Sequence, residues 1–398
     1  MAMDKLLSRA EKVLIQNVGR FPVVFTRATG SRVYDVNNKE YIDFLSGIAV
    51  QAVGHSHPRI TAALQKQAEK IIHVSNYFYL EEQIELAEKL TSLSGLDQVF
   101  FCNSGAEANE AAIKLARKYG QKYLGGKYEI ISAYNSFHGR TFGALAATGQ
   151  PKYQASFRPL PAGFRYAKFN DLKSWETAIS EQTCAVLLEL VQGEGGVNPI
   201  SPDFLHGLAE ICRQKGILLI FDEVQTGLGR TGKYFAWQHL GIKPDIITCA
   251  KALGEGVPIG ALLASDKVAS AFQPGDHSTT IGGGGLAFAV GVEVLRIMEE
   301  ENLPERAAKL GAELISSFQG WQKEIPIIKE IRGWGLLLAL ELSVPAMPIV
   351  DKCFSRGLLI NAVTPNAIRL LPALNISRKD LDEGLAILHQ TLSEAENQ

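Results

Sequence analysis

Four short segments carry side chains able to do chemistry together, and each follows a run that reads as a buried strand. Asp222 comes directly after the apolar run 217–221, and Lys251 follows Asp245-Ile246-Ile247-Thr248-Cys249-Ala250. Asn103-Ser104-Gly105-Ala106 follows 98–102, and Ser136-Phe137-His138-Gly139-Arg140 follows 129–133. An acid at the C-terminal end of such a strand lies at the edge where open α/β sheets collect ligands; taken alone, it reads equally as half of an ion pair with an arginine. A lysine against low-dielectric walls loses affinity for its proton and supplies the free amine of Schiff-base chemistry; the plain alternative is a lysine reaching out to solvent. Ser104, Gly105 and Ala106 open a helix whose first N–H groups and positive end suit an anion such as phosphate, although Ser104 reads as well as a simple helix cap. Phe137 offers a ring for stacking on a planar group, or a core aromatic.

Taken together, a phosphate cradle, a stacking face, an acid and a lysine suit pyridoxal phosphate (PLP). The acid keeps the pyridine nitrogen protonated, so the ring withdraws the electrons of a substrate carbanion, while the lysine holds the aldehyde and shuttles protons. Two other signals compete. Gly227-Leu228-Gly229-Arg230-Thr231-Gly232 fits G-x-G-x-x-G after a strand, as a nucleotide-dependent oxidoreductase would. However, Asp222 to Gln225 intervene between strand and glycines, and Lys233-Tyr234-Phe235-Ala236-Trp237 is a poor helix start. The same stretch reads G-x-x-x-x-G-K, with Tyr234 in the place of the Ser or Thr whose hydroxyl would hold magnesium in a P-loop. His55 and His57 form an H-x-H with no cysteine or carboxylate cluster to complete a site, so no metal is expected.

The elements that must position these groups follow from periodicity. Candidate strands at 98–102, 129–133, 185–190, 217–221, 246–249 and 261–264 alternate with helical segments, the pattern of a helix-covered, mainly parallel sheet. Ser201 and Pro202 open a helix that Gly216 ends, and a helix from Gly105 is expected to close at Gly120. After Gly282 the pattern predicts a long helix at 286–301, a strand at 336–342 and a helix at 380–394, read as a second, α+β domain. The expected division is 1–50 as the N-terminal part of a small domain, 51–285 as a large cofactor-binding domain and 286–398 as the C-terminal part of the small one.

Composition bounds the partners. The chain has 398 residues, 46% hydrophobic and 21% charged, ample material for a core. Forty basic against forty-two acidic residues give a formal charge of −2, without the basic excess that nucleic acid requires. Five scattered cysteines without a C-x-x-C pair predict a reducing, cytoplasmic setting. The N-terminus mixes charges among its apolar residues as a surface helix does, and no apolar run approaches the roughly 18 residues of a membrane span, so no membrane is expected.

The chain closely resembles the class III aminotransferases of PLP fold type I. The resemblance runs over nearly the whole length, through Gly54-His55-Ser56-His57-Pro58, Asn103-Ser104-Gly105-Ala106-Glu107-Ala108-Asn109-Glu110, Phe137-His138-Gly139-Arg140-Thr141 and Gln192-Gly193-Glu194-Gly195-Gly196. It continues through Asp222-Glu223-Val224-Gln225-Thr226-Gly227 and Ala250-Lys251-Ala252-Leu253-Gly254 to Ile368-Arg369. It implies an α/β large domain with a mainly parallel seven-stranded sheet, plus a smaller α+β domain built from the N- and C-terminal segments. It further implies that Lys251 is the Schiff-base lysine, that Asp222 pairs with the pyridinium nitrogen, that Val224 and Phe137 pack on the two ring faces and that Gln225 contacts the phenolic oxygen. Ser104, Gly105 and Ala106 would hold the phosphate together with Thr280 from a partner subunit, making the active form a homodimer. Arg140, Glu194, Thr279 and Arg369 would bind substrate: Arg140 a carboxylate distant from the reacting amine, Arg369 the α-carboxylate of glutamate, with Glu194 covering Arg369 when an ω-amine such as N-acetylornithine is bound. Two positions depart from the family pattern. Ile281 and Gly282-Gly283-Gly284-Gly285 replace an aromatic-Gly-Gly-Asn-Pro run, which predicts a more mobile loop and weaker cofactor retention, and Glu255 replaces a common glycine.

Overall fold

The computed structural model describes residues 2–395. Seven strands form the central sheet: β1 Gln98–Cys102, β2 Glu129–Ala133, β3 Phe164–Ala167, β4 Thr183–Leu188, β5 Leu218–Asp222, β6 Ile246–Cys249 and β7 Gly260–Ala264. Their spatial order is β1-β7-β6-β5-β4-β2-β3. Six run the same way; β7 alone is reversed, lying antiparallel between β1 and β6.

Every residue of β4, β5, β6 and β7 is buried, which is why these strands are mostly apolar, Thr183, Asp222 and Thr248 excepted, and lack the alternation of a half-exposed strand. Consecutive residues divide between the two faces. Ile130, Ala185, Leu187, Leu218 and Ile220 pack on one side with Ala111, Ala112, Leu115, Ala116 and Tyr119 of the helix Gly105–Tyr123. Ile131, Val186, Leu188, Leu219 and Phe221 pack on the other with Phe204, Leu205 and Leu208 of the helix Pro202–Lys215 and with Trp175 of the helix Leu172–Ala178. Burying each larger apolar side chain contributes about 1.5–3 kcal/mol, so these three helices are fixed to the sheet by their inner stripes.

The expected strands are all present, with shifts at 185–190, 217–221 and 261–264. β4 stops at Leu188 and leaves Glu189 just beyond it, while β5 runs one residue further than expected and ends on Asp222. β3 was not among the expected strands. It is a four-residue edge strand with Arg165 exposed, too short and too polar to stand out. Helix Pro202–Lys215 is bounded as expected, with Ser201 Oγ accepting from Phe204 N–H and Gly216 left-handed at φ 66°. The helix from Gly105 does not close at Gly120; it continues to Tyr123. Gly120 is a crossing point instead, since a Cβ there would lie 2.1 Å from the Lys127 carbonyl oxygen.

Two outer sheets flank this core. Phe25–Thr29, Arg32–Asp35 and Glu40–Asp43 form an antiparallel meander, which Leu358–Leu359 extends in parallel, so segments from the two ends of the chain share one sheet. Ile328–Trp334, Leu337–Leu342, Ala367–Leu370 and Asn361–Thr364 form another antiparallel sheet in that order. The helices expected at 286–301 and 380–394 are Gly284–Glu300 and Arg378–Ala395. A further helix, Leu303–Glu324, follows the first after a left-handed Asn302 and was not among the expected elements. At the N-terminus, Ala2–Val13 is helical.

The glycine-rich stretch after Thr226 is a turn with Leu228, Gly229 and Gly232 at φ 55°, 86° and 99°, and no helix begins on it. Its Arg230 is buried and donates from Nη1 to the carbonyls of Leu336 (3.0 Å) and Pro372 (2.6 Å). The nucleotide fingerprint therefore lacks its essential feature, a helix N-terminus aimed at phosphate. Gly120→Ala is expected to destabilise the chain by about 2 kcal/mol, because the added methyl overlaps a fixed backbone carbonyl. An unchanged urea midpoint would contradict this tight crossing.

Candidate active site

The site lies at the edge where the six co-directional strands end. Asp222 leaves β5 with its carboxylate buried and both of its oxygens hydrogen-bonded. Asn109 Nδ2 donates to Oδ2 at 2.8 Å, His138 Nδ1 lies 2.8 Å from the same oxygen, and Val224 N–H donates to Oδ1 at 3.0 Å. With its proton on Nδ1, His138 donates to the carboxylate, the tautomer this contact favours. Asn109 is itself held by Thr248 Oγ1, which donates to its Oδ1 at 2.8 Å, while its Nδ2 also reaches the His138 carbonyl at 2.7 Å. This places Asp222 in the pocket wall with no freedom to turn away.

Lys251 begins a short 3-10 turn two residues after β6, with φ at 49°. A left-handed non-glycine residue costs about 1–3 kcal/mol, so the surrounding structure must hold it there. Burial pushes its pKa down to about 8, against the pull of Glu194 and with help from the nearby Arg369 charge.

Ser104, Gly105 and Ala106 line the same pocket at the start of the 19-residue helix. Ser104 Oγ accepts from Glu107 N–H at 3.2 Å, so the capping role holds. A Cβ on Gly105 would sit 2.7 Å from Val224 Cγ1, so glycine lets the helix start close over Val224. Phe137 is partly buried and lines the pocket, edge-on to Tyr153 at 6.1 Å. Arg140 is exposed, stacked 4.0 Å over the Tyr153 ring.

Arg369, from the strand Ala367–Leu370, is fully buried. Its Nη1 donates to Glu194 Oε1 at 2.5 Å, Gly193 O at 3.0 Å and Gln225 Oε1 at 3.2 Å. Burial alone would raise the Glu194 pKa, but the Arg369 charge and hydrogen bond, with the Lys251 charge, hold it below the usual carboxylate value. Glu194 and Gln225 line the pocket and Arg369 lies behind them, covered.

Thr279 and Thr280 are not brought into this wall. Thr279 Oγ1 accepts from Asn103 Nδ2 (3.2 Å) and Gly282 N–H (3.3 Å), and Thr280 is exposed. Glu255 is buried, with Oε1 accepting from Val53 N–H at 2.9 Å and burial raising its pKa to about 8; it ties residues 51–53 to the loop after Lys251. His55 pairs with Asp43 at 2.8 Å, and His57 caps the helix Pro58–Lys70, which accounts for the H-x-H. Among the described residues no group of three or more His, Cys, Asp or Glu could hold a metal.

Three pocket groups escaped the sequence reading: Asn109, His138 and Glu189. Asn109 was legible as a lone polar residue on the alanine face of its helix, and Glu189 as an acid directly after an all-apolar strand. His138 stood inside a segment chosen for its neighbours. The pocket measures about 410 Å³, within the range of small-molecule sites. A fixed buried carboxylate, an amine of lowered pKa and a helix N-terminus opening into one cavity are the donor set that PLP requires, so the residues present fit that cofactor.

The profile described as "Aminotransferase class-III" matches residues 14–392. The acetylornithine aminotransferase of Methanocaldococcus jannaschii is 46% identical over 395 residues, covering 99% of each chain. The solved ornithine aminotransferase from Toxoplasma gondii ME49 superposes with a TM-score of 0.95 at 34% identity, over 99% of this chain and 96% of that one. The N-acetylornithine aminotransferase from Stenotrophomonas maltophilia K279a gives 0.84 at 38% identity, over 98% and 99%.

Reductive trapping of pyridoxal phosphate on Lys251 of the cofactor-free protein should climb about tenfold per pH unit and level off above pH 8, where the amine is neutral. A rise continuing to about pH 10.4 would show an unperturbed lysine.

Proposed function

The chain belongs to the class III aminotransferases and is a PLP-dependent transaminase, and we propose that it transfers the δ-amino group of N2-acetyl-L-ornithine to 2-oxoglutarate. The products are N-acetyl-L-glutamate 5-semialdehyde and glutamate, a step of arginine biosynthesis. The observation that carries the substrate assignment is the closed pair of Arg369 and Glu194, 2.5 Å apart at one side of the Lys251 pocket, with Arg140 free of any ion pair among the described residues at the other.

Bound PLP supplies an aldehyde that takes up amines and a protonated ring that withdraws electrons when a C–H bond beside nitrogen breaks. Ser104, Gly105 and Ala106 would hold its phosphate, Asp222 its ring nitrogen and Gln225 its phenolic oxygen. Val224 and Phe137 would cover its faces. Lys251 Nζ, neutral over part of the working pH range, removes the proton from the amine-bearing carbon and returns one on the other side of the exchange. Arg140 takes the carboxylate remote from the δ-amine, by paired charge-assisted hydrogen bonds. While that amine is bound, Glu194 neutralises Arg369. When 2-oxoglutarate enters, Glu194 leaves and Arg369 takes the α-carboxylate, so one pocket serves two substrates of different charge.

The active form in this reading is a cytoplasmic homodimer. Thr280 is exposed and away from its own chain's pocket, as a residue donated to a partner would be, and Thr279 orients that loop through Asn103. Five buried free thiols suit a reducing compartment. Ornithine is the competing amine, given the TM-score of 0.95 to an ornithine aminotransferase.

N-acetylornithine alone is expected to abolish the visible band of the bound cofactor, and 2-oxoglutarate to restore it. A band that responds to ornithine and ignores N-acetylornithine would move the assignment to the former. Lys251→Ala should abolish turnover, and retained turnover in a pure sample would overturn the mechanism. Arg369→Ala should raise KM for 2-oxoglutarate by about 10- to 100-fold and KM for the amine far less, the split expected for a lost guanidinium–carboxylate contact. Equal rises would remove Arg369 from oxo-acid binding.

A further inference from the structure

The pocket holds a carboxyl with no part in the reaction above. Glu189 follows β4, is 7% exposed and lines the cavity. Its Oε2 accepts from the Phe137 backbone N–H at 2.9 Å and its Oε1 from the Gly193 N–H at 3.3 Å. Burial, reinforced by the Asp222 charge, keeps its pKa well above the carboxylate range even against these two donors.

The two gripped residues matter because of what adjoins them. Phe137 forms one wall of the pocket, and Gly193 directly precedes Glu194. Gly193 is also held from its other side, where its carbonyl accepts from Arg369 Nη1 at 3.0 Å. A side chain there has no room, since a Cβ would lie 2.2 Å from Gln225 Oε1.

We infer that Glu189 is a positioning residue for the Glu194 gate: it fixes Gly193 as a pivot, so that Glu194 swings off Arg369 without carrying the backbone along, and it ties that pivot to the Phe137 wall. The inference rests on the proposed use of Arg369 for the oxo-acid. While the gate is closed, the Arg369–Glu194 bond also anchors residues 193 and 194. Once it opens, that anchor is gone, and Glu189 with the Arg369–Gly193 contact must hold the segment. The half-reaction with glutamate or 2-oxoglutarate therefore depends on Glu189 more than the half-reaction with the amine does.

Glu189→Gln keeps the side-chain volume and replaces one accepting oxygen with an NH2 that cannot accept from a backbone N–H. Single-turnover rates of the two half-reactions, each followed by cofactor absorbance in the holoenzyme, give the readout. The variant should lower the glutamate half-reaction about tenfold more than the amine half-reaction, the weight of one hydrogen bond. In a Glu194→Ala background, where no gate remains to pivot, this selectivity should vanish. Gly193→Ala disturbs the pivot from the Gln225 side and should give the same selective loss if the Gln variant does not fold. Equal loss in both half-reactions, no loss, or a selective loss that persists without Glu194 would overturn the inference. The comparison uses whichever amine the wild-type enzyme accepts, and Arg369→Ala separately tests the reading beneath it.

Discussion

A carboxylate removed from water at the end of an apolar strand has to be surrounded by donors, and here every donor to Asp222 comes from a different part of the chain. Asn109 projects from the helix Gly105–Tyr123, His138 from the turn after β2 and Val224 from the turn after β5 itself. Asn109 is oriented in turn by Thr248 on β6. One buried charge thus fixes the mutual placement of a helix, two turns and two strands, and these are the elements that carry Phe137, Arg140, Gly105 and Lys251. Loss of any donor would leave a charge unsatisfied in a low dielectric, which costs more than the bond itself contributes.

The rest of the pocket is a matter of balance between charges that cannot all be neutralised at once. Glu194 stays below its ordinary pKa despite burial because Arg369 is bonded to it, and Lys251 drops to about 8 because burial outweighs the acids around it. A buried ion pair gives little net stability, since its desolvation offsets its attraction. In the proposed exchange of substrates that near-cancellation is an advantage: replacing Glu194 by a substrate carboxylate on Arg369 would replace like with like.

Much of this is legible in the amino-acid sequence. Short runs of apolar and β-branched residues bound β1, β2 and β6 correctly, although β1 is exposed at Gln98 and only half-buried at Val99 and Phe100, and Asp222 and Lys251 stand out as charges at the ends of buried strands. What escaped had weaker local signals. β3 is short and on the edge, and the helix Leu303–Glu324, missing from the expected elements, opens at Asn302 without a side-chain cap. Gly120 looked like a helix end because sequence cannot distinguish a glycine that terminates from one that yields to a crossing backbone. Glu189 bonds Gly193 only four residues on, but its other partner, Phe137, comes from a separate segment 52 residues away, a convergence that no local pattern announces.

The reversal of β7 has its own outcome for how the chain can vary. Because β7 pairs antiparallel beside β6, the segment 250–259 starts and ends on neighbouring strands, about 5 Å apart. Lys251 therefore sits in a closed loop that imposes no register on the rest of the sheet, and substitutions within it are insulated from the strand order. The glutamate at 255 marks the limit of that freedom. Through Val53 it moors the loop to the N-terminal segment, so an insertion between 251 and 255 would slip the mooring even though every strand kept its place.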